Sequence, residues 1–398
     1  MKKIKVVFVI EIPEHGGLTR CNLDIVESLQ YDYDISIFHG YTQKGEEEKI
    51  KRIWQRQHTE LFLFKIRRRF KGFLNIIFFL IQYVYIFNQK LEEIRPTIVI
   101  TNSFIAAIAV GLLKVKYHYK HIHIFHGYRT DEELSLYDFQ FSHLNRLAIL
   151  KITLSARMQG FLQKIGIMFS DVNLVTSEFS KNLFIKHFSR IPTVFYPPIP
   201  LYPHKQIPNN PELNVGIANR IEPRKGIHIF VNAAKIILGK TKNIHFHIFG
   251  YVSQEQYFMA LFNQESFLNM SWHGPLDYQQ LLEAYKHIDV LVMPSTTGET
   301  LGFSTLEALS MGIPVIGSDS GATPEILKQI SSELIYNILP KDLAAKIMWF
   351  ENLDQDKKRI LSKNCVEFVR NRYNVKQFVD FFDDLITSIC PTEVVFKQ

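Results

Sequence analysis

PSTTGETLGFSTLEALSMGIPVIGSDSG, residues 294–321, decides how this chain is read. It follows DVLVMPS (residues 289–295), an apolar β-branched run of the length of one buried strand. FSTLEALSM then has helical spacing and is stopped by Gly312, and IPVIGS supplies the next strand. Strand, loop, helix and strand form the unit from which parallel α/β sheets are built, and the loop TTGETLG falls at the carboxyl end of its strand, where such sheets place their sites.

The same alternation recurs on both sides. KIKVVFVI, YDISIFHG, TIVITNSF, KHIHIFHG and DVNLVTS read as strands in the first half, and LTRCNLDIVESL as a helix. The proline-rich segment Val194 to Leu213 suits neither helix nor central strand and is read as a linker. Beyond it NVGIANR, IHFHIFG and DVLVMPS alternate with HIFVNAAKIIL and YQQLLEAYKHI. At 398 residues the chain exceeds the roughly 250 to 300 at which single cores stop growing, so two α/β domains are expected.

Composition narrows the class. Apolar content of 46% with 21% charged residues is that of a folded globular protein, without disordered or repetitive tracts. Three scattered cysteines, Cys21, Cys365 and Cys390, make neither a disulfide framework nor a metal knuckle. The N-terminus meets charge after few apolar residues, and the expected compartment is the cytoplasm. The net charge of +7 favours an acidic substrate or an anionic surface and is too diffuse for nucleic acid. The longest apolar run, Phe73 to Phe87, contains Asn75 and Gln82 and falls short of the ~20 residues that span a bilayer. It is either a buried helix behind a solvated basic loop, or a place where Arg67, Arg68, Arg69 and Lys71 hold the chain peripherally to acidic lipid at the inner face of the cell membrane.

Two carboxylates stand out in the opening stretch, Glu299 and, after seven intervening residues, Glu307. The helix after Gly302 points unpaired N–H groups outward, which suits phosphate, and Gly302 and Phe303 let backbone approach an anion closely. A structural reading competes for Glu307, because Ser304-Thr305-Leu306-Glu307 has the spacing of a capping box.

Glu299, Gly302, Glu307, Ala308, Gly312, Pro314, Val315, Gly321 and Glu325 resemble the E-x7-E region of retaining family-4 glycosyltransferases of the GT-B fold. ANRIEPRKG joins the match, with Arg220 and Lys225 at the spacing of that family's diphosphate-binding pair, as do HIFG ending at Gly250, and WHGPL. The N-terminal half resembles it more loosely, through Gly16-Gly17 and His126. One departure is Gly321-Ala322, where many relatives carry two glycines. The resemblance implies two Rossmann-like domains with parallel sheets facing across a cleft. The first, residues 1–199, would bind the acceptor and include a returning helix at about 374–390; the second, residues 200–373, would bind the donor.

It also implies roles. Arg220 and Lys225 would stabilise the departing diphosphate without a metal, aided by the amides near Gly302 and Phe303. Glu307 would accept hydrogen bonds from the ribose, Glu299 would lie by the sugar hydroxyls, and His126 would reach the donor sugar. Gly16, Gly17 and Gly250 would line the donor phosphates. The donor would be a nucleotide-diphosphate-sugar, with UDP and GDP as first candidates and no cofactor. The acceptor would be a glycan or lipid-linked hydroxyl in surface polysaccharide, lipopolysaccharide or glycolipid assembly. Rival readings are a nucleotide-sugar epimerase of the same fold and a non-catalytic nucleotide-sugar-binding module. A dinucleotide oxidoreductase would need G-x-G-x-x-G, which EIPEHGGLTR lacks, and His121 and His123 have no carboxylate beside them for metal hydrolysis.

Overall fold

The structure is a computed structural model that describes residues 3–10, 17–43, 45–55, 59–67, 73–135, 137, 145–204, 212–241, 243–262 and 269–391. The chain divides into two compact units. One comprises Met1–Leu134, Asn145–Pro198 and Val375–Gln398; the other contains Ile199–Asn374.

In the first unit the strands are β1 (Lys5–Ile10), β2 (Asp34–Tyr41), β3 (Glu60–Lys65), β4 (Ile98–Thr101), β5 (Lys120–Ile124), β6 (Val172–Val175) and β7 (Thr193–Val194). They pair in parallel in the order β3-β2-β1-β4-β5-β6-β7. In the second, β8 (Leu213–Ala218), β9 (Ile244–Phe249), β10 (Met270–Trp272), β11 (Val290–Met293), β12 (Val315–Ser318) and β13 (Ile335–Tyr336) run parallel in the order β10-β9-β8-β11-β12-β13. Both are doubly wound, Rossmann-like sheets whose order reverses once, beside β1 and β4 in one and beside β8 and β11 in the other. Every residue of β4, β11 and β12 is buried, because helices cover both faces of a parallel sheet.

The linker reading of Val194 to Leu213 needs one adjustment. Val194 still pairs with Val175 as the end of β7, and β8 begins at Leu213. Residues 205–211 between them lie outside the described residues. The apolar run from Phe73 folds as the helix Phe73–Ile94, which turns Phe79, Tyr83, Phe87 and Leu91 into the core of the first unit. No helix among the described residues is long and apolar enough to cross a membrane. The helix Val375–Ile389 belongs to the first unit, where it packs on the helix Gly17–Leu29. There Phe382 meets Tyr33 edge to face at 5.3 Å, and the Tyr33 hydroxyl donates to Asp383.

The first unit also buries His39, His121 and His123 and half-buries His126. Thr101 Oγ1 bridges His121 Nε2 at 2.8 Å and His123 Nδ1 at 3.0 Å. Burial pulls His121, His126 and His39 down to about 4 and, with the neighbouring His121 and His126, His123 down to about 3. Unfolding returns each to its ordinary value near 6.5, so the unfolded chain binds more protons as pH falls below 6.5, and stability is lost progressively down to about 4. Asp24, raised to about 7 mainly by burial, works the other way over the same window, but it is one group against four. Thermal melting of the full chain is expected to fall steadily from pH 6.5 to pH 4.5, with a shallower fall in His123→Asn. A melting temperature that is flat over that range would contradict the assignment.

Candidate functional site

A cluster of charge lies where the second sheet reverses its order, at the carboxyl ends of β8 and β11. The chain leaves β8 through Asn219-Arg220-Ile221-Glu222 into a single 3-10 turn, Pro223–Lys225, and then the helix Ile227–Leu238. It leaves β11 through residues 294–302 into the helix Phe303–Ser310. The two loops are stitched together by backbone, since the Thr296 N–H donates to the Arg224 carbonyl at 2.9 Å. Gly226, at φ 68°, makes the approach possible: a Cβ there would overlap the Pro294 carbonyl oxygen. The loop after β12 completes the clamp. Ala322 N–H donates to the Glu299 carbonyl at 2.8 Å, and Gly321, at φ 63°, lies so close that a Cβ would press on Glu299 backbone. Ala322 itself is right-handed, with φ −80°, so only the first residue of the Gly321-Ala322 pair must be glycine.

Within this clamp Lys225 Nζ and Glu299 Oε1 form an ion pair, with side chains only 11% and 16% exposed. Ser295 Oγ donates to the same carboxylate oxygen at 2.9 Å. Burial alone would raise Glu299, but the charges of Lys225 and Arg224 and the hydrogen bonds from Lys225 and Ser295 outweigh it and hold the acid down at about 2. It is an anion at any ordinary pH and cannot serve as a proton donor.

Arg220 approaches through a buried acid that sequence reasoning missed. Glu222 is 1% exposed, and its Oε1 lies 2.6 Å from Arg224 Nε and 3.6 Å from Arg220 Nη2. Ser253 Oγ is 3.4 Å from its other oxygen. Arg224 was also missed; the one available signal is the alternation R-x-E-x-R-K within ANRIEPRKG, since a buried acid among three cations implies a charge network.

The capping-box reading of Glu307 does not hold. The residue that caps the helix is Gly302, at φ 80° and ψ 71°, with no side-chain hydrogen bond, so Ser304 is already inside the helix and Glu307 is beyond its first turn. Glu307 is instead buried, and its negative charge, after burial, helps push the hydroxyl of the buried Tyr285 well above its ordinary value. Gly302 and Phe303 thus open a helix that has no side-chain cap at its N-terminal residue Gly302.

Gly250, at φ 141°, has a packing explanation: a Cβ would overlap the Asn219 carbonyl, so the glycine sets the path of the chain into Arg220. The remaining candidates belong to the first unit. Gly17 opens the helix Gly17–Leu29, whereas Gly16 lies outside the described residues. β5 stops at Ile124, so His126 stands in the loop two residues beyond it and does not continue the strand's alternation.

Residues 202–371 match the family model of glycosyl transferases group 1. Among curated proteins, the chain is 45% identical over 56 residues to the sulfoquinovosyl transferase SQD2 of Arabidopsis thaliana, covering 14% of this chain and 11% of that one. It is 24% identical over 267 residues to WcaL of Escherichia coli, provisionally named a colanic acid biosynthesis glycosyltransferase, covering 63% of this chain and 60% of that one. The chain thus spans less than two thirds of the length of these relatives. Among solved structures it resembles Anabaena Alr3699/HepE in complex with UDP and glucose, with a TM-score of 0.73 and 17% identity over 97% of this chain and 100% of that one. The fold is GT-B.

The clamp predicts unequal costs for two glycines of similar φ. Gly226→Ala adds overlap with Pro294 to the backbone strain and is expected to destabilise by about 3 kcal/mol or more, whereas Gly302→Ala meets only Thr305 and should cost about 1 to 2 kcal/mol. Urea unfolding of both variants measures this; equal losses would contradict the close approach at Pro294.

Proposed function

We propose, on the premise that residues 202–371 carry the glycosyl transferases group 1 pattern within a GT-B chain, that this protein is a glycosyltransferase (EC 2.4). It moves a sugar, with retention of configuration, from a nucleotide-diphosphate-sugar to a hydroxyl of a growing glycan or lipid-linked acceptor. The observation that carries this reading is the Lys225–Glu299 pair, set with Arg220 and Arg224 at the reversal of the second sheet.

Such a reaction needs positive charge where the diphosphate departs and an unprotonated acid near the sugar. Lys225 and Arg220 supply the first, and the open amides at Gly302 and Phe303 add a second, fixed source on the same sheet. These cations take the place a divalent metal would occupy, so transfer is expected without one. Glu299, held ionised near 2, accepts hydrogen bonds from sugar hydroxyls and favours positive charge growing on the ring. Bound diphosphate competes with Glu299 for Lys225, so the pair loosens as the donor enters. Glu307 is the acceptor of the ribose hydroxyls. The name of WcaL supports a role in polysaccharide assembly, and UDP, bound in the Anabaena structure, and GDP are the first nucleotides to try.

A screen of nucleotide-sugars in excess chelator, followed by proton NMR of the product, tests the reading. The expected result is an anomeric configuration equal to that of the donor, with activity unaffected by chelation. An inverted product, loss of activity restored by magnesium, or conversion of the donor sugar without any acceptor would contradict it.

A further inference from the structure

We propose that the outer helical layer of the first unit is a docking surface for a bilayer containing acidic lipids. This goes beyond glycosyl transfer and can fail while that reading stands.

The helix Arg146–Met168 turns Ala156, Gly160, Gln163 and Ile167 inward. On its other side Leu147, Leu150, Leu154, Phe161 and Met168 recur at intervals of three, four, seven and seven, so they form one stripe. Each is between 59% and 69% exposed. Water-soluble surfaces scatter such residues singly; a run of five along one helix marks an interaction face. The same helix carries Arg146, Lys151, Arg157 and Lys164, all exposed, and no acidic residue. None of the four is paired with a carboxylate among the described residues. An apolar stripe edged by unpaired cations is the pattern of a helix lying in a membrane interface.

The layer extends the stripe. The helix Phe104–Tyr117 packs between Arg146–Met168 and Phe73–Ile94. It exposes Leu112 and Val115, and Phe73–Ile94 exposes Leu74, Ile77, Ile81 and Tyr85 on the side away from its core residues. Near Met168 and Val115 the surface dips into a groove of about 480 Å³ that Lys114, His118 and Lys120 also line. Charge decides the occupant: two copies of this chain laid stripe to stripe would oppose cations with cations, whereas an acidic bilayer complements both stripe and rim. The expected basic anchor at residues 67–71 is described only at Arg67, so the docking surface rests on the helix Arg146–Met168 instead.

Co-sedimentation of the full chain with phosphatidylcholine vesicles, with and without phosphatidylglycerol, tests this. Binding is expected only with the acidic lipid. It should fall on the order of 100-fold in the triple variant Lys151→Ser, Arg157→Ser, Lys164→Ser, and also in high salt. It should fall at least tenfold in Leu150→Gln, Leu154→Gln, Phe161→Gln, with both variants melting like the parent because the positions are exposed. The proposal is overturned if acidic vesicles do not bind the parent chain or bind both variants equally well. It is also overturned if the parent is a dimer that the apolar triple variant dissociates.

Discussion

The ion pair between Lys225 and Glu299 joins the loop that leaves β8 to the loop that leaves β11, and the geometry of the charged cluster depends on holding those two loops together. Left unpaired, either charge would be costly in so enclosed a place; each is tolerated because the other is there. The backbone fixes the distance between them. Gly226 lies against the Pro294 carbonyl, Thr296 bonds back to Arg224, and Gly321 supports Glu299 from the far side, so three successive loops of one sheet meet around a single carboxylate. A parallel sheet offers such a meeting point only where strand order reverses, because there adjacent loops diverge and leave room.

Much of the architecture was legible in sequence because its strands are buried on both faces. KIKVVFVI, TIVITNSF, DVLVMPS and IPVIGS each read as a continuous apolar run and each contains a strand. The strands that escaped are short or peripheral: Thr193–Val194 and Ile335–Tyr336 are sheet edges of two residues, and Met270–Trp272, another edge, has three. Edge strands bury less, so neither length nor hydrophobicity separates them from loop. Glu60–Lys65, also at an edge, lacks a clean alternation of buried and exposed positions.

The site was legible where chemistry and backbone coincide, and obscure where a role depends on a partner far away in sequence. Glu299 and Lys225 could be named, but their pairing spans 74 positions, and no local pattern announces it. Glu222 looked like an ordinary loop acid until burial set it beneath Arg220 and Arg224. Glu307 sat in a convincing capping-box spacing, yet Gly302 caps the helix two residues earlier than that reading requires, and the acid is buried near Tyr285. The exposed stripe of Arg146–Met168 escaped for another reason: its apolar residues look like a core face until the structure shows that a different face is buried.

Calorimetric binding of free UDP and GDP to the parent chain, Lys225→Gln and Glu299→Gln tests the central claim most directly. If Lys225 is shared between Glu299 and the diphosphate, Lys225→Gln weakens binding at least tenfold, because a charge-assisted contact of about 1.5 to 3 kcal/mol is lost. Glu299→Gln then leaves affinity unchanged or tighter, because it frees the lysine. A Glu299→Gln variant that binds as weakly as Lys225→Gln, while melting like the parent, would contradict the account.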